Sequence, residues 1–168
     1  MEIAFIGQEH KLTHYESAIS YNFRVLEGWR GSDAEMFSDF LKNEIFFEIC
    51  FQERENGVGP VFDYGIVRTE DFTILDKNGF YKYLSDYFEN AEWSEYHIED
   101  IKPNLAWLKN DIDRCKLSTF FVLNMESFEQ NNKVIRQFQR SIYLCYFIAV
   151  FWFERENFLV TYTELFWD

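Results

Sequence analysis

Three histidines and three cysteines are the side chains in this 168-residue sequence best suited to chemistry. His10 and His14 form a His-x-x-x-His pair. On a helix that spacing puts both rings on one face, where a metal could bridge them. The third ligand would have to come from elsewhere, and the stretch around them is polar and adjoins an apolar run, so an exposed loop without a metal is the simpler reading. His97 stands among carboxylates, which raise the pKa of an imidazole when they are close. A general-acid role would need a cleft around it, and a surface histidine accounts for the residue as well. Cys50 and Cys145 sit inside apolar runs, where a thiol behaves as a small hydrophobe. Cys115 lies between Arg114 and Lys116, a setting that favours thiolate, yet it also ends an apolar stripe. An odd number of cysteines without paired spacing reads as three reduced thiols, the state expected in the cytoplasm.

No Gly-x-Ser-x-Gly, Walker loop or Gly-x-Gly-x-x-Gly is present, and Gly57-Val58-Gly59 is too short to cradle a phosphate. Acids are so numerous that some pair must lie close together, so proximity of carboxylates is not a glycosidase signal. The expectation is a non-enzyme without catalytic residues, cofactor or metal.

Charge is more informative. The chain has 29 acids against 16 bases, a formal net charge of −13. Phosphate-directed binding of nucleic acid and attachment to anionic membranes both need a basic face, so neither is expected. A basic protein partner is favoured by sign, against the plain alternative that the charge only maintains solubility. The acids concentrate between Asp86 and Asp100, where Asp86, Glu89, Glu92, Glu95, Glu99 and Asp100 occur without a Lys or Arg. Helical spacing would put Glu89, Glu92, Glu95 and Glu99 on one face, and like charges at that spacing weaken a helix. Either solvent compensates, or a cationic partner does. On the second reading Glu89, Glu92, Trp93, Glu95, Tyr96, Glu99 and Asp100 form a partner-binding face, with a Trp or Tyr ring as anchor.

The elements that must position these residues follow from hydrophobic periodicity. Residues 142–153 carry no charge and are dense in β-branched and aromatic side chains. They are too few for a membrane span and read as a strand buried on both faces. Residues 154–157, Glu-Arg-Glu-Asn, turn the chain, and 158–166 return as a second strand, giving a hairpin central to a sheet. The same tetrapeptide stands at 53–56, which reads as a second charged hairpin tip or a duplicated hairpin. Upstream, the pattern predicts a strand over 2–6, a loop over 8–15 and a strand over 17–26. A capping box at Ser32 and Glu35 opens a helix over 33–43, and strands follow over 44–52, 61–68 and 72–75. Helices over 78–90, from Pro103 to Cys115 and over 128–139 bracket a strand over 117–125. The expected fold is α+β: a single domain over 1–168, with a largely antiparallel or mixed sheet of five to seven strands and helices packed against it. The N-terminus lacks the basic and apolar regions of a signal peptide.

A small, acidic, aromatic-rich chain without a catalytic motif resembles, in overall character, the immunity proteins of bacterial polymorphic and contact-dependent toxin systems. The resemblance implies a cytoplasmic protein that binds a cognate toxin, often a basic nuclease, and blocks it. It carries no diagnostic motif and assigns no residue a role. Two alternatives remain: a phage-type acidic nucleic-acid mimic or other interaction protein, with its charge spread over one face, and an enzyme with a dispersed site, marked by a pocket and a perturbed carboxylate or histidine.

Overall fold

A strand without a polar face can be placed only where both its faces are covered, and the architecture follows from that requirement. A computed structural model describes residues 1–12, 16–51, 68–90, 106–114, 117–124 and 146–167. Six strands are present: β1 (Ile3–Leu12), β2 (Glu16–Val25), β3 (Phe72–Leu75), β4 (Ser118–Leu123), β5 (Tyr146–Glu154) and β6 (Leu159–Trp167). Four helices accompany them: α1 (Asp33–Phe40), α2 (Glu44–Phe51), α3 (Lys77–Asn90) and α4 (residues 106–114). The strands form one sheet in the order β1-β2-β6-β5-β4-β3, and each neighbouring pair is antiparallel. The β5–β6 hairpin occupies the two central positions, with β2 paired to β6 and β1 at the edge beyond β2.

Alternate residues of β5 supply two separate cores. Ala149, Phe151 and Phe153 pack with Phe37 and Phe40 of α1 and Phe46 of α2. Ile148, Val150 and Trp152 pack with Phe80 and Leu84 of α3 and Leu108 and Ile112 of α4. With helices on both faces, Ile148 to Phe153 are all buried, which explains why that part of the strand carries no charge. On β2, Ile19, Tyr21, Phe23 and Val25 join the first core. The opposite side is polar, yet Ser20 is buried there, with its hydroxyl 2.7 Å from that of Thr163, and Thr161 donates to Asn22 at 2.8 Å. Those two bonds let polar side chains occupy a covered sheet face.

The capping box forms as expected: the Ser32 hydroxyl accepts from the Glu35 N–H, and the Glu35 carboxylate accepts from the Ser32 N–H at 2.8 Å. Gly31 precedes it with φ +76°, and a β-carbon there would stand 2.7 Å from Oε2 of Glu35. The positive φ favours glycine there, whereas the contact with Glu35 could be relieved by a shift of its flexible side chain.

Two expectations are corrected. The strand over 44–52 is instead helix α2. Its apolar residues occur almost all round, so a period of two and a period of 3.6 fit equally; Asn43 decides by accepting from the Ile45 N–H through its side chain at 3.0 Å. Phe46 and Cys50 then enter the core, while Ile45 and Phe47 are left exposed. The loop over 8–15 is replaced through Leu12 by strand β1, which continues past a bulge at Ile6, between Phe5 and Gly7. Gln8 and Glu9 are exposed on this edge strand, so their polarity had concealed it. The expected strand over 61–68, apart from Arg68, and the helix over 128–139 lie outside the described residues, as does the 53–56 copy of the hairpin tip.

Candidate functional site

Of the acidic run, Asp86 and Glu89 fall on α3, with Glu89 in its last turn. Lys82 lies 2.6 Å from Asp86, so the first charge of the run is offset from one turn earlier. Glu92, Trp93, Glu95, Tyr96, Glu99 and Asp100 lie outside the described residues, as do His14, His97, Cys115 and Cys145. His10 is part of β1. His10 therefore stands on extended rather than helical backbone. Among the described residues, no group of three or more His, Cys, Asp or Glu side chains is placed to hold a metal ion.

The most chemically loaded group is internal. Tyr162 and Glu164, two apart on β6, point to the same face, and the phenol donates a hydrogen bond to Oε1 of Glu164. Tyr162 stacks against Phe151 and Tyr21, with ring centroids 4.3 Å and 6.0 Å apart. Burial, and then the Glu164 charge, pushes the Tyr162 phenol well above its usual pKa, so it stays protonated and available as a donor. Cys50 is buried in the same core. Glu164 is only 2% exposed and Tyr162 is fully buried. The pair is therefore a satisfied polar contact in the central hairpin rather than a group presented to a substrate.

The accessible feature is an acidic cleft of about 570 Å³ at one end of the sheet. It is formed where the start of β1 meets the α1–α2 junction: the Asn43 side chain donates to the Met1 carbonyl at 2.9 Å, and the Leu26 N–H donates to the Glu2 carbonyl at 3.0 Å. Glu2, Glu27, Asp39 and Glu44 line it, with Lys42 as the one basic side chain among the lining residues. All five are exposed. Met1, Ile3 and Ile45 give the cleft apolar walls. Dispersed carboxylates over an apolar floor suit the amphipathic stem and charged head of Lys or Arg side chains better than a chelated metal. Phe47 and Glu48, also exposed, extend the same chemistry along α2.

Sequence reasoning missed this cleft because its four acids are scattered from residue 2 to residue 44 and come together only when α2 packs on β1. The one local clue was Asn43 before Glu44, a helix start that would have turned Glu44 and Ile45 outward. Among the described residues, no helix is long and apolar enough to cross a membrane. No protein-family model matches the chain, and neither a curated protein nor a solved structure matches it.

Proposed function

We propose that this protein is a non-enzymatic protein-binding inhibitor whose acidic surface captures a cationic protein. In its full form the reading is an immunity protein that acts in the cytoplasm and neutralises a cognate bacterial toxin, a basic nuclease. The observation that carries it is the cleft with four carboxylates to one lysine on a chain of net charge −13. An anionic surface with apolar walls offers both steering and a place for the stems of basic side chains. It repels nucleic acid and anionic membranes for the same reason. The acidic run from Glu89 to Asp100, with Trp93 and Tyr96, is proposed as a second part of the partner-binding surface.

The test is affinity capture on the immobilised chain at low salt, followed by titration of the captured protein's activity. Stoichiometric loss of a nuclease or other toxic activity, with restored growth on co-expression, supports the reading. A partner whose activity is unaffected at saturation, or recovery of no salt-sensitive partner, contradicts it.

A further inference from the structure

Charge does not account for a second feature at the end of the sheet where the cleft opens. Phe158, at the tip of the β5–β6 hairpin, has φ +54°, the one positive value at a non-glycine residue among the described residues. A bulky side chain is strained in that region, whereas Gly or Asn would adopt it readily. Burial covers only part of the ring, because the residue is 41% exposed. Two more large apolar residues stand at the same end: Leu26 is 51% exposed and Leu117 is 61% exposed. Backbone hydrogen bonds set the three loops side by side. The Val25 N–H donates to the Phe158 carbonyl at 2.8 Å, and the Arg155 N–H donates to the Leu117 carbonyl at 3.4 Å.

The tip is also tied to the start of α1. Asp33, at the start of α1, accepts from Arg155 Nε at 2.8 Å and Nη2 at 2.7 Å, from Trp29 Nε1 at 3.0 Å and from the Thr119 hydroxyl. Asn157 donates to Glu154 across the turn. A loop whose backbone is tied down in this way has less freedom to lose on binding, as the loop of an interface anchor should.

We infer that Leu26, Phe158 and Leu117, together with the adjoining acidic cleft, form the surface that docks the cationic protein partner, with Phe158 as its apolar anchor. The inference rests on the proposed function and assigns it a face. The occupant follows from charge complementarity. Glu156 adds another exposed acid at the hairpin tip; the exposed bases nearby are Arg24, opposite Leu159 on β2, with Arg30 and Lys42, and Arg155 is held by Asp33 while remaining half-exposed, so the acids of the cleft and the tip still outnumber them. A second copy of this chain would set cleft carboxylates against each other, and an anionic membrane or nucleic acid would meet the same repulsion.

The probe is the purified protein recovered by low-salt capture on the wild-type chain. Phe158→Gly and Phe158→Asn both suit the left-handed backbone, so each should fold with an undiminished melting temperature and dissociate about 10-fold faster or more. Glu27→Lys with Glu44→Lys should instead slow association at low salt by about 10-fold. Wild-type kinetics in all these variants would overturn the assigned face while leaving the functional reading intact, since the partner would still bind. Failure to capture any salt-sensitive partner would remove both. A concentration-dependent dimer in sedimentation, dissolved by Phe158→Asp, would make the face a contact between copies and overturn the inference.

Discussion

Replacing Tyr162 by Phe removes one oxygen from the centre of the protein. That oxygen donates to Glu164, a carboxylate only 2% exposed. The ring contacts with Phe151 and Tyr21 remain available to Phe, so the lost donor dominates the effect. Removing one partner of a buried charge-assisted hydrogen bond costs about 1–3 kcal/mol at neutral pH. The pH dependence gives a second, independent signature. Burial and Glu164 raise the folded phenol's pKa well above its ordinary value, so its contribution is full below the unfolded pKa of about 10 and declines as pH rises beyond it. As pH rises past about 10 the unfolded phenol ionises more readily than the folded one, which lowers wild-type stability relative to pH 8. The variant lacks this loss. Urea titrations at pH 8 and pH 11 should therefore show a deficit of about 1–3 kcal/mol at pH 8 that is smaller at the higher pH. No deficit at pH 8, or an unchanged deficit at pH 11, would refute the buried pair.

Phe151 is fully buried and its ring meets those of Phe37, Phe46, Phe72 and Tyr162 at 4.3–5.6 Å, so Phe151→Ala should cost about 3–5 kcal/mol. A urea midpoint shift below about 1 M at unchanged slope would contradict its central place. Ser32→Ala should remove the α1 cap and cost about 1 kcal/mol, read from the same titration, with a neutral result showing that the capping box carries no weight. Denaturing alkylation without reductant, followed by intact mass, should find three modified thiols, because Cys50 is free and buried and three cysteines leave no balanced pairing; fewer would reveal a disulfide.

The central hairpin was legible because residues 146–153 contain no charge, and a strand of that kind has only one place in a sheet. Helix α1 was legible because Ser32 and Glu35 announce its start. Helix α2 was not, because an apolar stretch without a polar face carries no period, and the deciding bond comes from Asn43, one residue before the run. Strand β1 was half legible: Gln8 and Glu9 point to opposite faces and both are exposed, so this part of the strand is held by its backbone pairing with Tyr21 and Ser20 and not by a burial pattern that a sequence could show. The cleft was illegible for a different reason. Glu2, Glu27, Asp39 and Glu44 share no local pattern, and their proximity is a tertiary product of β1, the β2–α1 loop and the α1–α2 junction. Phe158 was equally hidden, since propensity would place Gly or Asn at a left-handed position, and only the backbone angle exposes the departure. The tetrapeptide at 154–157 attracted attention as a repeat, whereas its visible work is mechanical: Arg155 clamps the tip to Asp33, and Asn157 braces Glu154.

The most direct test of the proposed function is the association rate of the captured partner at about 20 mM and about 300 mM salt. Exposed charges separated by more than a Debye length are screened over that range, so steering by an acidic surface should be largely lost at the higher concentration. The expected result is a fall in association rate of about 10-fold or more, with the dissociation rate much less affected. An association rate that does not change with salt would contradict capture of a cationic partner by this surface.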